Sequence, residues 1–102
     1  MIISIVRPSL SEADKSFLKA CFTQMSSCAV VCHGDGVYAP QLQSAFIDEL
    51  LTLNAQQDNQ VLIYALGEDI SLRGVREDAR IKVITHNDLA ALSHEHKQWV
   101  TL

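Results

Sequence analysis

The chain has 102 residues, 48% of them hydrophobic, and a net charge of −4. This length predicts one domain over residues 1–102, and the composition excludes a disordered chain. Only eight Lys and Arg residues are scattered along the acidic chain, which argues against a dedicated nucleic-acid-binding protein.

The apolar runs have the length of strands and fall far short of the ~20 residues that span a bilayer. The opening MIISIVRPS lacks the basic region and the cleavage site of a signal peptide. Three cysteines, an odd number with uneven spacing, fit reduced thiols better than a disulfide framework. We therefore expect a cytoplasmic protein with no membrane association.

The first third of the chain predicts a strand, a helix and a second strand. Ile2–Val6 opens as a strand that Arg7-Pro8 stops, and Ser9 or Ser11 can cap the helix that follows. Three- and four-residue spacing predicts one apolar face for this helix, made of Leu10, Ala13, Phe17, Ala20, Cys21 and Met25. The second strand, Cys28–Cys32, is apolar throughout, as expected when both of its faces are covered.

The middle of the chain predicts a helix from about residue 41 to 53 and a third strand at Val61–Leu66. The apolar face of this helix is predicted to hold Leu42, Phe46, Leu50 and Leu53. Residues 54–60 are polar and are interpreted as a connection.

The last third predicts a short helix, a fourth strand and a final helix. The short helix follows Gly67-Glu68-Asp69 and ends near Gly74, which can adopt the left-handed conformation of a C-cap. Ile81–Thr85 is the fourth strand, and a helix opens at His86-Asn87-Asp88. The tail from Trp99 to Leu102 is compatible with a short fifth strand.

This alternation predicts an α/β fold, a single three-layer domain with a parallel sheet of four to five strands and helices on both faces. Flavodoxin-like and half-Rossmann layers have this architecture. Sites in such sheets lie at the carboxyl ends of strands. The loops at residues 33–40, 67–69 and 85–88 are therefore the places where a site is expected.

The first of these loops contains a formal match to the dinucleotide fingerprint G-x-G-x-x-A, made by Gly34, Gly36 and Ala39. In a true dinucleotide loop the second glycine opens the helix, so that the helix amides face the pyrophosphate. Proline suits the first helical position, and Pro40 therefore places the helix start about four residues too late. We interpret the match as accidental, with Asp35 and Gly36 forming a turn, and we expect no cofactor.

Two other polar patterns are interpreted as surface features. His94-x-His96, with His86 upstream, invites a metal site, but positions two apart on a helix point in different directions. No cysteine or carboxylate cluster completes a ligand set, so we expect no metal. Glu68 and Asp69 stand at the start of a helix, where they complement its dipole and cap it.

Several motifs, taken in order, resemble the TusB/DsrH family. The segment GDGVYA follows a strand, IYALGEDISLRGV comes later, and a C-terminal helix closes on a tryptophan. The matching positions are Asp35-Gly36-Val37-Tyr38-Ala39, Ala65-Leu66, Glu68-Asp69 and Arg73-Gly74. The opening ISIVRPS is similar to the family's start, with serine and proline in reversed order. The likeness runs nearly end to end.

The resemblance implies a DsrE-like fold and a heterohexamer with TusC- and TusD-like subunits. Such a complex receives persulfide sulfur from sulfur-carrier proteins of the relay and passes it towards 2-thiolation of the tRNA wobble uridine. The TusB-type subunit is mainly structural there, and we expect no direct tRNA binding. A sister branch, DsrEFH, serves sulfur oxidation, and its DsrH-type subunit can carry a cysteine in the first helix.

Cys21 aligns with that DsrH-type cysteine. It lies late in its helix, where the dipole opposes a thiolate, and shares a face with Phe17, so core packing is the favoured interpretation and a persulfide role the alternative. Cys28 and Cys32 are four apart on a strand, roughly 13 Å, and cannot bridge directly. Cys32, at the end of its strand, is the second thiol to test.

Three hypotheses stay open from the sequence. The chain is a non-catalytic assembly subunit with Val37, Tyr38 and Trp99 as candidate interface residues, a sulfur carrier that uses Cys21, or a free-standing domain that binds a small ligand at its strand ends.

Overall fold

The computed structural model describes residues 1–24, 27–55 and 60–102. Its strands are β1 (Ile2–Ile5), β2 (Ser27–Cys32), β3 (Gln60–Leu66), β4 (Lys82–Ile84) and β5 (Trp99–Thr101). Its helices are α1 (Glu12–Gln24), α2 (Ala39–Leu42), α3 (Ser44–Ala55), α4 (Gly67–Arg73) and α5 (His86–Glu95), with a 3-10 helix at Gly34–Tyr38. The predicted face residue Met25 and residues 56–59 of the predicted connection lie outside the described residues.

The five strands form one parallel sheet in the order β4-β3-β2-β1-β5. The tail does form the fifth strand, and Trp99 pairs with Ile2 at the outer edge of β1. The prediction of an α/β fold with a parallel sheet of four to five strands is confirmed.

The helices cover both faces of the sheet, but unequally. One face packs against α1, α3 and α4 through the cluster that holds Leu18, Phe46 and Ile70. The other face packs against α5 through Leu89 and Leu92. Right-handed crossovers explain this division, because β1 to β4 advance in one direction and the last connection returns across the sheet to β5.

The face of α1 differs from the prediction. Leu18, Cys21 and Phe22 are its buried residues, whereas Ala13 is exposed and Phe17 packs only at the edge of the core. Leu18 and Phe22 are offset by one position from the predicted stripe, a rotation of about 100° around the helix. The apolar spacing was correct, but its centre was misplaced.

The start of α1 resolves the choice between two serines. Ser11 Oγ accepts the N–H of Asp14 at 3.1 Å, and the Asp14 carboxylate accepts the N–H of Ser11 at 3.2 Å. This reciprocal pair satisfies two amides that a helix start leaves without partners. Ser11 is therefore the cap.

The second predicted helix is broken into α2 and α3. The break lies at Gln43, whose φ of −115° and ψ of 37° are not helical. Leu42 ends the short helix and is 64% exposed, so its predicted place on the buried face was wrong. Arg80 stabilises the break by donating hydrogen bonds to the carbonyl oxygens of Ser44 at 3.2 Å and Pro40 at 3.4 Å.

Gly36 allows the 3-10 helix to lie against the end of β1. A Cβ atom at this position would stand 1.8 Å from the carbonyl oxygen of Ile5. Gly34, two residues earlier, has a φ of +58° but no atom within 4 Å of its missing Cβ. The two glycines therefore have different roles, a close approach at Gly36 and a left-handed conformation at Gly34.

We predict that Gly36→Ala lowers the free energy of unfolding by about 3 kcal/mol or more, because backbone must move to admit the methyl group. Gly34→Ala is the matched control and should cost about 1 to 2 kcal/mol, the penalty of a left-handed alanine. Urea titration of both variants measures the difference. Equal losses would contradict the close approach.

Candidate functional site

The loops after β2 and β3 are tied together at the carboxyl edge of the sheet. Asp69 in the first turn of α4 accepts the N–H of Gly34, the first residue of the 3-10 helix, at 2.8 Å. Arg73 donates from Nε to the Asp35 carboxylate at 3.0 Å and from Nη1 to Asp69 at 3.4 Å. One arginine thus joins two carboxylates, and these polar groups are paired with one another.

Asp69 was predicted to cap α4, but its carboxylate accepts the N–H of Gly34 instead. No side chain caps the start of α4, where Leu66 is the N-cap residue. Asp69 and Glu68 do lie in the first turn, where negative charge suits the helix dipole. Gly74 ends this helix with a φ of 63°, as predicted for a left-handed C-cap.

The geometry of residues 33–40 explains the glycine fingerprint by packing. The α-helix begins at Ala39 with Pro40 in its first turn, as predicted, and residues 34–38 form the 3-10 helix instead. Gly36 contacts β1. The Gly34 amide donates to the Asp69 carboxylate, which is negatively charged as a phosphate would be. Both glycines serve contacts within the chain.

The crevice between the ends of β3 and β4 is the topological switch point of the sheet, because α4 and α5 leave on opposite faces. It forms an open groove of about 420 Å³, and Glu68 Oε2 lies 2.6 Å from His86 Nε2 along it. Ligands of α/β proteins bind at such points. Both side chains are more than half exposed.

The helix α5 begins at His86, as predicted, but Thr85 is its N-cap and not the last residue of the fourth strand. Thr85 Oγ1 accepts the N–H of Asp88 at 3.2 Å, and Asp88 accepts the N–H of Thr85 at 3.0 Å. The backbone and hydroxyl of Thr85 hold the pKa of Asp88 below its ordinary value. These groups close a capping box.

Cys21 and Cys28 lie together at the opposite edge of the sheet. Cys21 is in the last turn of α1 and 4% exposed, and Cys28 is the second residue of β2 and 3% exposed. Both side chains belong to the same buried cluster. Sequence reasoning treated the two separately, although α1 runs antiparallel to the strands and its end must meet the start of β2.

Burial dominates the acidity of these thiols. It raises the pKa of Cys21, while the neighbouring Cys28 and the charge of the terminal amine oppose that rise. Burial and the neighbouring Cys21 raise the pKa of Cys28 to about 11.

Cys32, at the end of β2, is fully buried and not semi-exposed. Burial raises its pKa to about 12. All three thiols of the chain therefore lie in the core, and none is a surface nucleophile in the folded state.

The three candidate interface residues have different surroundings. Val37 is 2% exposed and packs inside the core, and Tyr38 is half-buried beside an open groove. Trp99 is 46% exposed and donates from Nε1 to Ser4 Oγ at 2.6 Å. An interface role for each stays a prediction. The sequence did not single out Leu72, which is 74% exposed on α4.

The histidines are dispersed. His86 pairs with Glu68, and His96 Nδ1 lies 2.8 Å from the Met1 amine, where desolvation lowers the histidine pKa. Within residues 1–24, 27–55 and 60–102, no three His, Cys, Asp or Glu side chains are grouped to hold a metal. No helix in those ranges is long and apolar enough to cross a bilayer.

The family described as DsrH like protein matches residues 10–99, from the segment before α1 to β5. The chain belongs to the DsrH family. This membership confirms the resemblance to TusB/DsrH proteins and implies that the chain is a subunit of a sulfur relay. No curated protein matched the chain.

We predict that Asp69→Ala lowers the free energy of unfolding by about 1 to 3 kcal/mol, because it leaves the Gly34 N–H without its acceptor. Asp69→Asn should cost less, since an amide oxygen can still accept that bond. Glu68→Ala is the control, because the exposed contact between Glu68 and His86 should be worth less than about 1 kcal/mol. Urea unfolding curves should show the largest loss of stability for Asp69→Ala, a smaller loss for Asp69→Asn and the smallest for Glu68→Ala. A reversed order would contradict the bridging role of Asp69.

Proposed function

We propose that this DsrH-family chain is a non-catalytic subunit of a cytoplasmic, TusBCD-like heterohexamer needed for 2-thiolation of the tRNA wobble uridine. The whole of residues 1–102 acts as one domain in that complex, with TusC- and TusD-like partners. The observation that carries the proposal is the burial of Cys21, 4% exposed beneath the last turn of α1.

Sulfur transfer requires a thiolate that a donor and an acceptor can both reach. Cys21, Cys28 and Cys32 are all below 5% exposure, and burial raises the pKa of each. The position of Cys21 in α1 matches that of the DsrH-type sulfur carrier, but its surroundings are those of a core residue. The relay cysteine is therefore expected on a partner subunit.

A structural subunit must offer contacts to its partners. Among the residues whose side chains the structure describes, Leu72 on α4 and Leu42 at the end of α2 are the most exposed large hydrophobic ones, and Trp99 is half-exposed on the edge strand β5. Exposed apolar side chains of this size gain most when a partner removes them from water. They join Tyr38 as candidate contacts.

The test replaces Cys21 by alanine in cells that make the native complex, with nucleoside mass spectrometry of bulk tRNA as the readout. We predict that 2-thiouridine stays near the wild-type level in Cys21→Ala, because the residue acts through packing. Deleting the chain should abolish the modification, since the complex cannot assemble.

Cys32→Ala is the matched control, because Cys32 is a buried cysteine of the same core cluster as Cys21. If Cys21→Ala lost thiolation while the complex still assembled and Cys32→Ala kept it, the non-catalytic role would be wrong.

A second candidate is a DsrH-type sulfur carrier that uses Cys21 in sulfur oxidation. The place of Cys21 in α1 favours it, because DsrH-type subunits can carry a cysteine in their first helix. Treating the assembled complex with glutathione persulfide separates the candidates. One added sulfur atom on Cys21 supports the carrier, and its absence from Cys21 with a partner cysteine loaded supports the structural subunit.

A further inference from the structure

The Met1 amine contacts the segment that joins α5 to β5. Its nitrogen lies 2.8 Å from Nδ1 of His96, the residue that follows α5. An ammonium group only donates hydrogen bonds, so Nδ1 accepts and the ring proton lies on Nε2. The contact therefore requires a neutral imidazole ring. His96 is partly buried there, whereas His94, two residues earlier, is exposed.

Strand β5, which follows this contact, is short and lies at the edge of the sheet. It has three residues and pairs with β1. Ile2 N–H donates to the Gln98 carbonyl oxygen at 2.8 Å, and Leu102 N–H donates to that of Ser4 at 2.9 Å. Local opening of an element with so few hydrogen bonds costs little free energy. A single further contact therefore has a large share in keeping β5 on the sheet.

The contact between Met1 and His96 lies where β5 begins to pair with β1. Met1 precedes Ile2 by one position and His96 precedes Gln98 by two, so the contact stands next to the first hydrogen bond between the two strands. It holds the connection from α5 at the place where the pairing of β5 begins. Loss of the contact would release this end of the strand first.

The surroundings of the His96 ring oppose its protonation. Burial lowers the pKa of His96, the charge of the Met1 amine lowers it further, and the Glu95 carboxylate raises it. A histidine of an unfolded chain has a pKa of about 6.5. Below about 6.5 the unfolded chain therefore binds more protons than the folded one, until the pH reaches the lower folded value. The stability that the contact contributes is complete above this range and is lost as the pH falls through it.

We propose that the contact between Met1 and His96 fastens β5 to the sheet in a pH-sensitive way, holding the strand while the ring is neutral and letting it open when the ring is protonated. A proton from solvent binds the Nδ1 lone pair, so Nδ1 no longer accepts a hydrogen bond and two positive charges face each other. Opening moves Trp99 away from β1, so the surface that carries this interface candidate becomes pH dependent. The proposal concerns this chain alone and does not depend on the relay function.

Trp99 allows the opening to be observed directly. It is the single tryptophan of the chain, and its indole N–H donates to Ser4 Oγ at 2.6 Å. The experiment takes the isotope-labelled full chain, with the Met1 amine shown to be unblocked by mass, and lowers the pH from about 8 to about 5. We expect the indole NMR signal to move with the same midpoint as the His96 ring signals, below about 6.5.

Hydrogen exchange gives the size of the effect. The backbone N–H groups of Ile2 and Leu102 bridge β1 and β5, so they are protected only while β5 is in place. After correction for the pH dependence of chemical exchange, both should exchange about tenfold faster at the acidic end. Far-UV circular dichroism should stay unchanged, because the rest of the sheet keeps its pairing.

Three variants separate this contact from other effects of acid. His96→Asn places a side-chain oxygen near the position of Nδ1 and does not titrate in this range, so β5 should stay on the sheet throughout. His96→Ala removes the acceptor, and the two amides should exchange fast at every pH. His94→Asn is the matched control, because His94 is exposed at the same helix end, and it should keep the wild-type midpoint.

Four results would overturn the proposal. The first is an indole signal and an amide exchange that stay constant while the His96 ring titrates. The second is a wild-type transition that persists in His96→Asn, and the third is its loss in His94→Asn. The fourth is a loss of circular dichroism with the same midpoint, because the whole chain would then unfold and not β5 alone.

Discussion

Strand β2 is buried on both faces at the centre of the sheet, and the rest of the structure depends on this exclusion of water. Ala29 and Val31 face the side of α5, while Cys28, Val30 and Cys32 face the side of α1 and α3. A parallel neighbour on each side requires crossover helices, and those helices complete the burial. The same burial raises the pKa of the β2 thiols. The burial of β2 thus explains both the fold and the raised pKa of its thiols.

The carboxyl edge of the sheet, which holds ligands in many α/β proteins, here holds the chain together. Asp69 binds the Gly34 amide, Arg73 bridges two carboxylates, and Glu68 pairs with His86 across the switch point. These polar groups therefore have partners within the chain. Cys21 and Cys28 lie buried at the opposite edge of the sheet.

The sequence was sufficient for features that local chemistry controls. Alternating apolar runs predicted the parallel sheet, Pro40 predicted the late helix start, and Gly74 predicted the left-handed cap. It was insufficient where a residue far away in the chain determines the local structure. The break at Gln43 depends on Arg80, which bonds a carbonyl 36 residues away, and Asp69 binds an amide 35 residues away. The Cys21–Cys28 contact lies between these cases, since the reversal of direction between α1 and β2 makes it derivable.

We propose that this DsrH-family chain works as one subunit of a larger relay complex. The first measurement is to tag the chain in its native cells, purify it without cross-linking and weigh the particle by native mass spectrometry. We expect two further small chains in equal amounts with this one, in a particle of six chains. A lone monomer or a homodimer, with neither partner present at any salt concentration used, would contradict it.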